Sequence, residues 1–344
     1  MTIYVLVIIA IALIFDFGNG MNDAANSIAT VVTTRVLPPK IAVLWAAFFN
    51  FVAAFGFEPH VARTIGKGLV EQSVVTPHLI LAALLAAVLW TFLCTHLGLP
   101  ISVSHALIGA LAGAALMKAG FGALIHSTLI RVAYFIVLSP LIGLAISSLL
   151  MIITLWICRH TSPRRADGVF RVLQLFSAAI YSLSHGLNDA QKTMGIIFAV
   201  LLSVPSLQTY ATHSGNPADD HPAWWIILSC HAAIAAGTYA GGWKVIHTLG
   251  HRVTKLQPMG GFCAETAGGV TVIGLSMLGI PVSTTHTITG AIFGVGITKR
   301  LSAVRWTVGY EIVAAWIFTL PASALMAALF YKLVDVVGLA AWTP

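Results

Sequence analysis

The chain has 344 residues, of which 58% are hydrophobic and only 8% charged, a balance that leaves a soluble domain too little polar surface and places the chain in a bilayer. Its formal charge of +7 does not indicate nucleic acid, because the basic residues sit in short loops between apolar stretches, where membrane topology accounts for them.

Apolar stretches near residues 3–15, 41–57, 79–97, 101–117, 132–157, 172–183, 193–205, 223–243, 268–280, 286–297 and 308–331 read as helices. Some approach or exceed the roughly 20 residues that cross a hydrocarbon core, and others are too short. The alternation of an outer-membrane strand is absent, so helices satisfy the backbone. The first stretch, MTIYVLVIIAIALIF, has neither a basic n-region nor a small-residue cleavage site and reads as a retained segment.

That stretch runs into DFGNGMNDAANS, residues 16–27. Carboxylates are costly in lipid and glycine weakens a helix, so the motif predicts a helix break facing a polar cavity. Asn22 and Asp23 are its candidate ligands, Asn19 and Asn26 are weaker ones, and Asp16 and Glu71 are expected at a membrane boundary. Further along, Gly98-Leu99-Pro100-Ile101-Ser102 leads through Ser104 and His105 into an apolar, Gly-rich helix, which predicts the tip of a re-entrant hairpin. The basic stretch RHTSPRRADGVFR, residues 159–171, reads as a cytoplasmic linker.

Both motifs then recur. Gly186-Leu187-Asn188-Asp189-Ala190 repeats Gly20 to Ala24 at an offset of 166, and Gly279-Ile280-Pro281-Val282-Ser283 with Thr284, Thr285 and His286 repeats the hairpin at an offset of 181. Even the following glycines correspond, Gly109 and Gly113 with Gly290 and Gly294. The polar insertion at 206–223 accounts for the difference in offsets. The predicted fold is therefore an all-α polytopic membrane protein of two inverted-topology repeats, residues 1–158 and 172–344 around the 159–171 linker, with broken helices and re-entrant helical hairpins. Orienting the linker inside collects most Lys and Arg in the cytoplasm. Asn216, the acidic Asp219 and Asp220, and Pro344 then fall outside.

The paired Asn-Asp motifs supply carboxylate and amide oxygens suited to a hard cation, so Asp23 and Asp189, with Asn22 and Asn188, form the candidate cation and coupling site, for sodium or another hard cation. Ser102, Ser104, Ser283, Thr284 and Thr285 follow a proline and precede a helix. Hydroxyls and free backbone N–H groups there bind oxyanions, so these residues, with Asn22 and Asn188, form the candidate substrate site. An anion beside two aspartates needs cations or protons to neutralise the gap, which predicts obligatory coupling. Glu265 is a further coupling candidate because an acid inside a membrane segment is a functional hypothesis by default. Lys192, three residues after Asp189, is expected to pair with it, or alternatively to meet the anion directly. Cys94, Cys158, Cys230 and Cys263 lack ligand spacing and read as packing residues.

With these residues in place, the chain closely resembles the inorganic phosphate transporter family, the PiT permeases. The resemblance rests on NGMNDAANS and HGLNDAQKTMG, on the hairpins GLPISVSHALIG and GIPVSTTHTITG, and on TRVLPPKIAVLWAAFFNFVAAFGF and TIGKGLVE, which look like the bacterial branch. It covers essentially the whole chain. It implies phosphate bound with cations between the halves, in a multi-pass protein of the bacterial inner (plasma) membrane. Relatives carry His or Asn at the place of Asn22, which leaves sodium and proton coupling both open. The expected function is symport of inorganic phosphate with sodium or protons, or as metal-phosphate. The expected partners are phosphate, a monovalent cation or divalent metal, and the bilayer, with no cofactor and with a homodimer compatible. A sulfate or related oxyanion permease of the same fold is the alternative within transporters. A passive anion channel and an intramembrane metal hydrolase are the alternatives outside them. The hydrolase lacks a His-Glu-x-x-His motif, and no nucleotide loop or Gly-x-Ser-x-Gly elbow appears either.

Overall fold

A computed structural model describes residues 2–56, 58–216, 221–252 and 254–337; Asp219, Asp220 and Pro344 lie outside the described residues. Within them the chain forms α1 (Thr2–Thr33), α2 (Pro39–Val52), α3 (His60–Gly68), α4 (Pro77–Leu97), α5 (Val103–Ala119) and α6 (His126–Ile157). These are followed by α7 (Pro163–Leu202), α8 (Trp224–Ala240), α9 (Trp243–His247), α10 (Pro258–Met277), α11 (Thr284–Lys299) and α12 (Trp306–Val336). Four of the helices, α1, α4, α6 and α12, are long and apolar enough to cross a membrane, or five spans if α2 and α3 count as one bent span. The protein is an all-α, multi-pass membrane protein.

One expectation needs correction. The Asn-Asp motifs do not break their helices, since α1 runs for 32 residues and α7 for 40 without interruption. The glycines serve close packing instead. A Cβ on Gly20 would lie 2.1 Å from the Ile234 carbonyl of α8, and one on Gly186 would lie 2.5 Å from that of Asn50 on α2. The polar side chains find partners across these close helix interfaces, so the backbone need not open. Between the halves a short 3-10 turn, Cys158–His160, precedes Pro163, which starts α7 at a position where its missing N–H costs nothing.

The apolar residues gather mainly into two clusters. The first half of α1, from Val5 to Phe15, joins α3, α4, α5 and α8 in one, while Ala24 to Val31 joins α2, α10 and α11 in the other. On α7 the order is reversed: Ala178 and Tyr181 belong to the second cluster and Ala190 to Leu201 to the first. Each Asn-Asp motif thus lies at the seam where its helix leaves one apolar cluster for the other, and α1 and α7 pass through that seam in opposite directions.

The two hairpins form as the repeated motif predicts. Gly98 and Gly279 end α4 and α10 with φ of 75° and 68°, the left-handed region open to glycine. The next helix of each hairpin is capped identically, with Ser102 Oγ accepting from His105 N at 3.2 Å and Ser283 Oγ from His286 N at 3.2 Å. The glycines after each His let a long helix from elsewhere in the chain press close. A Cβ on Gly113 would lie 2.0 Å from the Ala324 carbonyl of α12, and one on Gly290 2.1 Å from that of Pro140 on α6. So α5 packs along α12 and α11 along α6, each hairpin being held by the long final helix of the other half of the chain.

Candidate functional site

At the seam, α1 and α7 bring Asp23 and Asp189 together, and the start of α11 closes over them. Thr284 Oγ1 stands 3.0 Å from Asp23 Oδ2 and 3.0 Å from Asp189 Oδ2. One hydroxyl carries one proton and can donate to only one of these oxygens at a time. Thr285 Oγ1 approaches the other oxygen of Asp23 at 3.3 Å. Both carboxylates are at most 2% exposed, so their charge needs compensation from within the site.

His185, four residues before Asp189 on the same face of α7, points Nε2 into the gap, 3.1 Å from Asp189 Oδ2 and 3.7 Å from Asp23 Oδ2. Its tautomer follows from its other side. Thr238 donates to the Ile234 carbonyl and accepts from Asn50 Nδ2, which turns Asn50 Oδ1 toward His185 Nδ1 at 3.0 Å and makes Nδ1 the donor. A neutral His185 therefore presents a lone pair, not a proton, to two carboxylates. Asp23, His185 and Asp189 each offer a ligand atom, all within 4.8 Å of one another, a spacing that a metal ion can bridge. A cation or a proton standing among them would offset the repulsion between the two carboxylates.

On the other side of Asp189 the charge sign reverses. Lys192, only 1% exposed, donates to Asp189 Oδ1, to Ser104 Oγ of α5 and, at 2.8 Å, to the Val282 carbonyl, so all three ammonium protons are used. The expected local ion pair is present, and the same side chain reaches the first hairpin. Asn26, at the matching place on α1, reaches the second hairpin, its Nδ2 2.9 Å from Thr285 Oγ1. Asn26 and Lys192, at matching places on α1 and α7, thus each reach the opposite hairpin, one with an amide and the other with an ammonium.

Several predicted residues take different duties. Ser102 and Ser283 spend their hydroxyls on helix capping, whereas Ser104, Thr284 and Thr285 face the site. The caps occupy the third N–H of each helix and leave the first two without an intrahelical acceptor, as helix geometry dictates. Asn22 donates to Thr95 Oγ1 at 2.8 Å and Asn188 to the Val282 carbonyl at 2.8 Å, so both tie their helices to hairpin elements. Asn188 also donates to Asp189 Oδ1 at 2.8 Å, while Asn22 keeps a buried Oδ1 without a partner. Glu265 is not brought to the aspartates. It sits about two turns along α1, where Thr30, Ser177 and, at 3.0 Å, Gln174 donate to it. Asp16 is completely buried. His105 and His286 pack their rings together at 4.6 Å, and His286 stacks on Trp316 at 3.6 Å.

His185 and Asn26 are the residues that the repeat undervalued. Matching one motif against the other discounts positions that differ, namely Asn19 against His185 and Asn26 against Lys192. The available signal was helical periodicity, which sets Asp16, Asn19, Asp23, Asn26 and Thr30 on one face of α1, and His185, Asp189 and Lys192 on one face of α7.

Comparison with known proteins points the same way. The profile described as "Phosphate transporter family" matches residues 19–327. The chain is 51% identical over 331 residues to a "Probable low-affinity inorganic phosphate transporter" of Rhizobium meliloti (strain 1021), covering 96% of each chain. It is 39% identical to a protein of the same description from Bacillus subtilis (strain 168), covering 97% of this chain and 98% of that one. Among solved structures it is similar to "The sodium-dependent phosphate transporter", with a TM-score of 0.85 and 26% identity, covering 98% of this chain and all of the other.

Proposed function

The chain belongs to the phosphate transporter family, and on that premise we propose that it is a symporter that moves inorganic phosphate together with cations through the seam between α1, α7 and the two hairpins. The observation that carries this reading is the convergence of Asp23, His185 and Asp189, two buried carboxylates and a ring nitrogen that require positive charge. Within one side chain's reach of that group are Lys192, Ser104, Thr285 and the free first-turn N–H groups of α5 and α11, which favour an oxyanion. An anion at the second set without a cation at the first leaves like charges in a water-poor interior; binding both together removes that penalty. Coupling is then a matter of charge balance.

In this reading sodium is the ion that the carboxylate and hydroxyl oxygens suit, in keeping with the sodium dependence named for the similar solved structure. Proton coupling is the second reading, favoured by His185 Nε2 standing where one proton would serve both carboxylates. The phosphate family does not favour the sulfate alternative. We read residues 1–158 and 172–344 as inverted repeats, a reading supported by the opposite passage of α1 and α7 between the two apolar clusters and by the matched hairpin caps. The bacterial relatives support placement in a bacterial inner membrane.

The test is purified protein in liposomes, with uptake of labelled phosphate against its own gradient under an imposed sodium, proton or divalent-metal gradient in turn. Symport predicts uphill uptake with one of the three. Downhill flux alone under all of them would make the protein a passive channel and overturn the reading.

A further inference from the structure

Part of the positive charge that Asp23 and Asp189 require could come from the protein itself. His185 carries one ring proton even when neutral, and its Nε2 stands 3.1 Å from Asp189 Oδ2 and 3.7 Å from Asp23 Oδ2. Left to itself the ring would keep that proton on Nε2, where two buried carboxylates attract it. The structure holds it on the other nitrogen. Thr238 of α8 donates to the Ile234 carbonyl at 2.9 Å and accepts from Asn50 Nδ2 of α2 at 2.9 Å, and Asn50 Oδ1 faces His185 Nδ1 at 3.0 Å. Every step has a direction, because a hydroxyl whose proton is committed can only accept and an amide oxygen never donates.

Thr238, Asn50 and His185 are each 0% exposed, so bulk water cannot substitute for a missing member of the chain. The three side chains join α8 to α2 to α7, and close packing keeps them in register. A Cβ on Gly186, the residue after His185, would lie 2.5 Å from the backbone carbonyl of Asn50 itself. The side-chain hydrogen bonds of Asn50 and Thr238 go to each other, to Ile234 and to His185, and none goes to an aspartate. In the first half of the chain the place of His185 is taken by Asn19, which has no ring proton to relocate. The arrangement therefore belongs to one half only and is not imposed by the duplicated fold.

We propose that Asn50 and Thr238 are positioning residues that make coupling obligatory. By keeping the ring proton on Nδ1 they turn a lone pair toward Asp23 and Asp189, so no proton of the ring stands where the cation belongs. The reversed chain is equally simple. Thr238 donating to Asn50 Oδ1, and Asn50 Nδ2 donating to Nδ1, would leave the proton on Nε2, pointing at Asp189. Both arrangements hold the same number of protons and differ only in their positions. With a proton on Nε2 the empty site is better compensated, and an entering cation meets an N–H instead of a lone pair. Cation affinity then falls, and phosphate entry depends less on its partner ion. A hydrogen bond to a charged group shifts such an equilibrium by roughly tenfold or more.

The proposal rests on the symport reading and is measured apart from it. Full-length protein carrying nitrogen-labelled histidine is compared by NMR, free of sodium and phosphate, in its native form and as Thr238→Val, Thr238→Ser and Asn50→Leu. The His185 signals are identified by their loss in His185→Gln. The native protein and Thr238→Ser, which keeps the hydroxyl, are expected to carry the proton on Nδ1 and none on Nε2. Thr238→Val, of the same shape without the hydroxyl, and Asn50→Leu should move it to Nε2. Binding of radiolabelled sodium without phosphate should weaken roughly tenfold in Thr238→Val and stay native-like in Thr238→Ser. In liposomes, half-saturating sodium for phosphate uptake should rise by the same factor while half-saturating phosphate at saturating sodium is unchanged, a split that general damage to the fold does not give. A native His185 with a proton on Nε2 overturns the proposal, a result that needs no variant to fold. A ring proton that stays on Nδ1 in both Thr238→Val and Asn50→Leu overturns it too, as does one that moves while sodium binds as tightly as before. The expected proton positions and sodium affinities without any cation-driven uptake would refute symport and leave the tautomer lock standing.

Discussion

The ion pair between Lys192 and Asp189 is where a single substitution should have the largest effect, because removing either partner leaves the other charged and stranded. Their side chains are 1% and 0% exposed, so bulk water does not screen the pair. Lys192→Met deletes the ammonium and leaves Asp189 Oδ1 with the Asn188 amide alone, and it also strips Ser104 and the Val282 carbonyl of a donor. Breaking one side of a buried pair costs about 3–5 kcal/mol. Asp189→Asn should cost a similar amount by stranding the ammonium. In the double variant no charge is left stranded, so the two losses should fall short of additivity by roughly 1.5–3 kcal/mol, within the range for residues in direct contact. Equilibrium unfolding in mixed micelles measures these energies, and phosphate uptake by the same variants in liposomes measures function. The double variant should regain stability over the sum of the singles while transporting no phosphate. Additivity to within about 0.5 kcal/mol would refute the pairing. Retained uptake in the double variant would remove both residues from transport.

The two kinds of hairpin hydroxyl should separate by assay. Ser102→Ala and Ser283→Ala lose a helix cap, about 1 kcal/mol of stability each, with little change in phosphate affinity. Ser104→Ala and Thr285→Ala should instead weaken phosphate binding several-fold to tens-fold, from roughly 0.5–1.5 kcal/mol or somewhat more per lost hydrogen bond, and equal effects in all four would refute the distinction. Gly113→Ala and Gly290→Ala should each destabilise by about 1–3 kcal/mol through overpacking, whereas Gly274→Ala, with nothing within 4 Å of its new Cβ, should be neutral or stabilising by up to about 1 kcal/mol. Single cysteines at Arg164 and Asn216 in a Cys-free background should react with an impermeant reagent added outside at Asn216 only; labelling at Arg164 from outside would reverse the assigned orientation.

Much of this was legible in the sequence because it rests on repetition and on local rules. The hairpins could be read from Gly98, Gly279, Ser102 and Ser283, since a left-handed glycine and a serine cap act within a few residues of themselves. The aspartate pair could be read because carboxylates in apolar company are rare enough to stand out. What a single sequence hides is the partner of each polar group. Asn and Asp inside an apolar run suggest a broken helix, yet α1 and α7 continue because Thr95, Thr284, Thr285 and Val282, distant along the chain, supply the hydrogen bonds. The role of His185 is hidden for the same reason. Its tautomer depends on Asn50 and Thr238, and its proximity to Asp23 depends on how two separate helices cross.

The packing of each hairpin against a helix from the opposite half of the chain bears on how the protein is made. Gly109 and Gly113 of α5 wait for Leu320 and Ala324 of α12, and α6 waits for Gly290 and Gly294 of α11. Roughly 220 residues separate the end of α5 from the end of α12. At typical synthesis rates of about 5–20 residues per second, the first hairpin stands in the bilayer for about 10–45 s with its glycine-lined groove open to lipid before its own cover is synthesised. During that interval Ser104 has no Lys192 beside it for the first part, and Asp23 has neither Thr284 nor His185. The nascent first half therefore holds polar groups that only the second half can satisfy. Membrane quality control would meet such an intermediate in every chain that stalls before α11, and a truncated product should be cleared by proteolysis and should not accumulate as a half-transporter.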